Sequence, residues 1–150
     1  MGLKASDIMS KKIITVKPED GLRELAEILV IHRISGLPVL DDENQLVGVV
    51  SQSDLVAQNK MPHIPVSVTL FDWVIYLEGM GRFKEEMDKM AGTLVRDIMT
   101  RNVSTVNPDT PMEEVATMMT EKRIHTIPVM DGERLVGVIG KLDIVRSILS

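Results

Sequence analysis

The sequence predicts an α/β fold made of two copies of one β-α-β-β-α unit, packed as a pseudo-twofold pair with a helical insert between them. Residues 6–56 and 96–145 repeat each other with a single one-residue gap. Asp7-Ile8-Met9 returns as Asp97-Ile98-Met99, and Thr15-Val16-x-Pro18 as Thr105-Val106-x-Pro108. Arg33-Ile34-x-x-x-Pro38-Val39-x-Asp41 returns as Arg123-Ile124-x-x-x-Pro128-Val129-x-Asp131. After a turn shorter by one residue, Leu46-Val47-Gly48-Val49 returns as Leu135-Val136-Gly137-Val138, and Asp54 as Asp143. Within each copy, short β-prone runs flank a stretch with helical apolar spacing. A lone unit of about 50 residues buries too little surface to stand by itself. Two copies are too few for a solenoid, so the units are expected to pack face to face around a cleft.

Each element has a local reason. Ile13-Ile14-Thr15-Val16 is a short β-prone run ended by Pro18. A helix is expected next, with Leu22, Leu25, Ala26 and Leu29 at i, i+3, i+4, i+7 on one face, matched by Met112, Val115, Ala116 and Met119. In the second copy Thr110 is the expected N-cap, Pro111 the first helical residue and Glu113 the partner in a capping box. Gly36-Leu37-Pro38-Val39-Leu40 reads as a brief strand whose proline suits an edge or an irregular start. Asp41-Asp42-Glu43-Asn44 is a polar turn, and Leu46-Val47-Gly48-Val49-Val50 reads as a strand buried on both faces. Ser51-Gln52-Ser53-Asp54 then leads into a second helix through Leu55, Val56 and Ala57.

Composition excludes several classes of function. The 44% apolar and 26% charged fractions suit a soluble globular chain. Aromatics make up only 3% against eleven methionines, so Leu, Ile, Val and Met must fill the interior. The chain has no cysteine, which removes disulfides, thiolate catalysis and cysteine metal sites. The longest apolar candidate, Val68 to Leu77, contains Asp72 and falls short of the ~18 residues of a membrane span. With no basic-then-apolar leader in view, the expectation is a cytoplasmic protein that engages no membrane. A net charge of −5 argues against a nucleic-acid surface, but leaves room for a small cationic pocket. His32 and His63 have no partner at metal-ligand spacing, so no metal site is expected. No nucleophile elbow, P-loop or Gly-x-Gly-x-x-Gly fingerprint occurs, and the expectation is a protein that is not an enzyme, with no catalytic residues.

The string hPVhD–turn–hhGhhS-x-x-D, preceded by Asp-Ile-Met and Thr-Val-x-Pro, resembles the cystathionine-β-synthase (CBS) domain. The tandem arrangement resembles the Bateman module, and the likeness covers about 100 of the 150 residues. It divides the chain into a first CBS domain at 1–57, an insert at 58–92 and a second CBS domain at 93–150. The resemblance implies a regulatory, non-catalytic pair with up to two clefts for adenosine-containing ligands: AMP, ADP or ATP, with NADH or S-adenosylmethionine as further options. No cofactor is required. Family pairs commonly associate through their helices, so a homodimer is expected, together with an unidentified regulated protein.

Ser51-x-x-Asp54 is the main candidate site. One reading places the Asp54 carboxylate on the two ribose hydroxyls, with Ser51 and Ser53 offering hydroxyls near phosphate at a helix N-terminus. The other reading is a capping-box variant that only starts the helix. By the resemblance each cleft combines both repeats. The Asp54 cleft would be lined by Arg101, Asn102, Val103, Ile124 and His125. The Asp143 cleft would be lined by Lys11, Lys12, Ile13, Ile34 and Ser35. Ile13 and Val103 would sandwich the adenine. The second copy departs from the pattern, since Gly140 and Leu142 stand where the first has Ser51 and Ser53. Lys141 either meets a phosphate there or is a solvated lysine at a helix start. His125 sits where the family often places a cation facing phosphate, although a lone histidine also serves as a satisfied structural residue. Arg33 and Arg123 end the first helix of each copy, where a cation favours the helix dipole.

All the aromatics, Phe71, Trp73, Tyr76 and Phe83, lie in the insert. Ser67 can cap a helix with Leu70, Trp73, Val74 and Leu77 on one face; Gly79 and Gly81 break it, and Phe83, Met87 and Met90 mark a second amphipathic stretch. Connecting helices, a dimer or partner surface, and a lid over a cleft all fit this pattern. The functional expectation is an adenine-nucleotide-sensing module. The alternative is a ligand-free dimerisation or docking module acting through this insert.

Overall fold

Short segments exchanged between the two repeats close each other's core. In this computed structural model residues 2–58 and 93–149 are described. The first repeat runs α1 (Ala5–Ile8), α2 (Leu22–His32), β1 (Gly36–Leu40), β2 (Leu46–Ser51) and α3 (Gln52–Gln58). The second runs α4 (Val95–Ile98), α5 (Met112–Lys122), β3 (Thr126–Asp131), β4 (Arg134–Gly140) and α6 (Lys141–Ile148). The predicted insert at 58–92, with all four aromatics, lies outside the described residues apart from Gln58, which ends α3.

The helix stripes pack as their spacing predicts. Leu22, Leu25 and Leu29 are buried on α2, and Val115 and Met119 on α5. Each full burial contributes roughly 1.5–3 kcal/mol of transfer free energy. The hairpins form as antiparallel pairs, β1 with β2 and β3 with β4, each with a bulge at the equivalent place, Val39/Leu40 and Val129/Met130. Asp41 shapes the first turn: its Oδ1 accepts from the amides of Glu43 and Gln45, both at 2.9 Å. Asn44 takes the left-handed backbone there (φ 61°), and Gly132 does so in the shorter second turn (φ 64°).

Three local expectations are corrected. The run 13–16 makes only one ladder position, Val16 parallel to Val39, because the chain crosses the edge of β1 and leaves at Pro18. β2 is not buried on both faces. Gly48 and Val50 are buried, whereas Val47 and Val49 are only partly buried, Val47 packing against the edge of the core. Pro111, not Thr110, is the N-cap of α5, and no side chain caps it. Thr110 Oγ1 instead accepts from the Asn107 amide (3.1 Å), closing the preceding turn as Asp20 Oδ2 does from Lys17 (2.8 Å).

The Asp-Ile-Met segments were not expected to be helical. Each is one helical turn, and each packs on the other repeat. Val95 and Met99 lie in the core formed by Leu22, Leu25, Leu29, Leu37, Val39 and Val50. Ala5 lies in the core of Val106, Val115, Met119, Ile127, Val129 and Ile139, with Met9 packed against it. Backbone pairing fixes both exchanges. Val49 and Thr100 trade hydrogen bonds at 3.0 and 2.8 Å, and Ser10 and Val138 at 2.8 and 3.1 Å. The glycine in each Leu-Val-Gly-Val strand makes room for the incoming methionine. A Cβ on Gly48 would stand 2.7 Å from Met99 Sδ and 3.0 Å from the Thr100 carbonyl, and Gly137 meets Met9 in the same way.

This exchange predicts an effect that crosses the repeats. Met99→Ala should cost roughly 2–3 kcal/mol, and the loss of hydrogen-exchange protection should be larger in β2 of the first repeat than in β4 of its own. Greater loss in β4 would refute the packing scheme.

Candidate functional site

The pairing of Thr100 with Val49 determines where the cleft lies. Val49 stands two residues before Ser51, so the chain leaving Thr100 passes directly beside the start of α3. The result is a cavity of about 230 Å³ with walls from both repeats. Val49, Ser51, Ser53 and Asp54 come from the first, and Thr100, Asn102, Val103, Ser104, Arg123, Ile124, His125 and Thr126 from the second.

Asp54 is held by its own helix. Its Oδ2 accepts from the Ser51 amide (2.8 Å) and the Ser51 hydroxyl (3.1 Å). The Asp54 amide in turn donates to Ser51 Oγ (3.3 Å). This is reciprocal capping, but it engages only one carboxylate oxygen. Oδ1 has no hydrogen-bond partner among the described residues. The cap therefore orients the carboxylate and leaves acceptor capacity facing a cleft.

Of the residues expected around Asp54, the structure brings together Ser51, Ser53, Asn102, Val103, Ile124 and His125. Arg101 does not join them: its Nη2 donates to the Arg96 carbonyl (3.3 Å). His125 Nδ1 is buried without a hydrogen-bond partner among the described residues, a state that costs on the order of 1–3 kcal/mol. Sequence reasoning missed Thr100, Ser104 and Thr126, whose signal lies in the strand exchange, and Lys122, whose Nζ donates to Ser104 Oγ (3.2 Å). Arg123, a cation at the end of α5, lines the cavity.

The Asp143 side is built on the same backbone with different side chains. The Gly140 amide donates to Asp143 Oδ2 (2.7 Å), as the Ser51 amide does to Asp54. The other carboxylate oxygen, Oδ1, faces Arg146 Nη1 at 3.5 Å. The position equivalent to Arg146 in the first repeat is Ala57, so α3 offers Asp54 no such neighbour one turn on. Ser35 and Ile34 use their carbonyls to anchor Gln52 of α3 (2.8 and 3.0 Å). Lys11, Lys12 and Lys141 are exposed. Ile13 lines a separate depression of about 420 Å³ with Thr15, Leu40, Glu43, Asn44, Gln45, Glu133, Arg134 and Leu135. Neither of these two cavities brings Ile13 together with Asp143. Among the described residues no group of three or more His, Asp or Glu is placed to hold a metal ion.

Comparison with known proteins agrees with this geometry. The CBS domain model matches residues 5–61 and 95–150, well over half of the chain. The CBS domain-containing protein CBSX2 of Arabidopsis thaliana is 31% identical over 157 residues, covering 99% of this chain and 64% of its own length. A crystal structure of CBSX2 in complex with AMP superposes with a TM-score of 0.73 at 28% identity, covering 99% of this chain and 97% of that one. The CBS domain pair of protein MJ0100, in complex with 5′-methylthioadenosine and S-adenosyl-L-methionine, also gives 0.73, at 30% identity and 99% and 97% coverage. The inosine-5′-monophosphate dehydrogenase of Methanocaldococcus jannaschii is 29% identical over 144 residues, 95% of this chain but 23% of the enzyme. The chain thus spans less than two thirds of CBSX2 and about a quarter of the dehydrogenase. Two matched copies, the exchanged segments and the cleft between them establish that this chain belongs to the CBS domain family, as a tandem pair.

Proposed function

We propose that the chain is a non-catalytic regulatory module that binds an adenosine-containing ligand in the Asp54 cleft. The observation that carries this reading is the Asp54 carboxylate, oriented by Ser51 through one oxygen and without a partner among the described residues at the other, inside a cavity walled by both repeats. A carboxylate with such spare capacity suits a ribose cis-diol, and Val103 and Ile124 offer apolar surface for an adenine face. The AMP-bound CBSX2 and the adenosyl-bound MJ0100 pair support the ligand class. Because the walls belong to different repeats, the ligand's affinity depends on how the two sit against each other. A ligand shifts that arrangement only by its differential affinity for two states.

A thermal-shift panel of AMP, ADP, ATP, NADH and S-adenosylmethionine tests the reading. A ligand at 100 times its Kd stabilises by about 2.7 kcal/mol, several degrees for a chain of this size. Asp54→Ala should abolish the shift. It should also lower the ligand-free midpoint slightly, since losing a helix cap costs about 0.5–2 kcal/mol. No shift with any adenosine compound at millimolar concentration, or an unchanged shift in Asp54→Ala, would sink the proposal.

The two clefts should be unequal. The Ser53 hydroxyl can donate to a ligand, the Ser51 hydroxyl being engaged by Asp54, whereas Gly140 and Leu142 offer no side-chain donor, and Arg146 already faces Asp143. A hydrogen bond to a charged group is worth roughly 1.5–3 kcal/mol, so the Asp54 cleft should bind about tenfold tighter or better. Calorimetry should show Asp54→Ala removing the tighter event and Asp143→Ala the weaker; the reverse order contradicts the assignment.

Self-association is the second element of the proposal. Val30, Ile31 and Val56 are exposed on the first repeat, and Leu142, Val145, Ile148 and Leu149 on or beside α6. Leu142, Val145 and Leu149 form one stripe by helical spacing, the kind of apolar surface that a partner covers. Light scattering should report twice the 16.7 kDa chain mass; a 16.7 kDa species alone at micromolar concentration would count against a homodimer.

A further inference from the structure

The backbone of the exchange does not distinguish one repeat from the other. Ser10 pairs with Val138 as Thr100 pairs with Val49, and Met9 rests on Gly137 as Met99 rests on Gly48. By these contacts alone, the leading segment of the first repeat would fit the first repeat of a second copy as well as it fits the second repeat of its own chain. Any preference between the two has to come from places where equivalent side chains differ in size.

Two such places lie where the repeats meet. Ala5 and Val95 are equivalent positions, and both are fully buried, Ala5 in the second core and Val95 in the first. The residues around them differ as well, with Leu25 against Val115 and Val50 against Ile139. Interiors are close-packed. Valine in place of Ala5 therefore overfills one core, and alanine in place of Val95 leaves a cavity in the other. Gly36 and Thr126 are also equivalent positions, and they meet across the pair. A Cβ on Gly36 would stand 2.6 Å from Thr126 Oγ1, 3.1 Å from the Val50 carbonyl and 3.3 Å from Ser51 Cβ. The Gly36 backbone is not left-handed, so glycine serves there to give room. Two copies of the first repeat would set glycine on glycine and leave that room unfilled. Two copies of the second would set threonine on threonine and overcrowd it.

We infer that Ala5 with Val95, and Gly36 with Thr126, form a size code by which each repeat accepts the other and rejects a copy of itself. The surface on which the repeats meet thus fits one partner, the unlike repeat. The same code decides what the cleft contains. Pairing like with like would set Lys12, Ile13 and Ser35 of a second copy opposite Asp54, where Asn102, Val103 and His125 now stand.

Exchanging the plugs tests this in the full chain. In Ala5→Val/Val95→Ala each core receives the plug that fits it only from a like repeat of a second chain. The chain has no cysteine, so engineered disulfides report which repeats pair. Ser10 and Val138 form a hydrogen-bonded antiparallel pair, a geometry that sets Cα atoms roughly 5.5 Å apart, within disulfide reach. On mild oxidation Ser10→Cys/Val138→Cys should close within one chain. Ser10→Cys/Val49→Cys places thiols that face each other only when the first repeats of two chains pair, and it should stay at the 16.7 kDa chain mass. Combined with the plug exchange at high chain concentration, this second reporter should yield a covalent dimer. No covalent dimer with the plug exchange, or a covalent dimer already without it, overturns the code. Should the plug exchange fail to fold, the seam pair still decides. Gly36→Ala should lower the thermal midpoint by several degrees in the unmutated chain, and much less beside Thr126→Ala. Equal shifts in the two backgrounds overturn the inference.

Discussion

The exchange of short leading segments is the constraint on which the remaining structure depends. Ala5 completes the second repeat's core, and Val95 and Met99 complete the first. Backbone bonds hold each visitor at both ends. Ala5 and Ser6 donate to the Thr110 and Pro108 carbonyls, and Val95 and Arg96 to those of Asp20 and Pro18, all within 2.8–3.0 Å. A unit of about 50 residues is marginal because too little of its surface is buried. Here each unit also lacks a side-chain plug and a strand edge until the other supplies them. Folding of the two repeats is therefore coupled, and neither is a natural unit for isolated expression.

The same exchange creates the cleft. Without the Thr100–Val49 pairing nothing would hold Asn102, Val103 and Ser104 against the start of α3. The segment that seals a core thus continues directly into a wall of the cleft. Small changes in how the repeats sit together alter the geometry of that wall, and a ligand touching both walls senses them. This gives a regulatory module physical content: the free energy available for control is the difference in ligand affinity between arrangements, about 1.4 kcal/mol for each tenfold ratio.

Repetition made much of this legible. The α2 and α5 stripes, both hairpins, the Asp41 turn and the pairing of Ser51 with Asp54 all follow from local spacing, because i, i+3 and i, i+4 neighbours share a helix face whatever surrounds them. The exchanged helices were not legible, since a four-residue helix has no periodicity of its own and its partners lie far away in sequence, Val49 for Thr100 and Val138 for Ser10. Thr110 looked like a cap and instead closes the turn before it, as a short hydroxyl side chain can bond either neighbour. Arg123 was hidden by type: left-handed helix ends are signalled by glycine, and an arginine there carries no such signal. Arg101 was carried over on position alone, and its side chain turns back to its own backbone.

Comparison of the copies separates scaffold from site. Where backbone geometry is at stake the repeats agree: Pro38 and Pro128, Gly48 and Gly137, Met9 and Met99, Asp54 and Asp143 occupy matching places. Around Asp54 and Asp143 they diverge, with Ser51 against Gly140, Ser53 against Leu142, Ala57 against Arg146 and His125 against Ser35. Divergence at these places leaves the shared framework intact, so the surroundings of Asp54 and Asp143 differ in chemistry while the same backbone-to-carboxylate bond starts each helix. Arg33 and Arg123 break the division. They agree in both copies, as scaffold residues do, yet the scaffold would be better served by glycine at φ values of 53° and 54°. A cation favours the C-terminal end of a helix dipole at both places, and Arg123 also lines the Asp54 cleft.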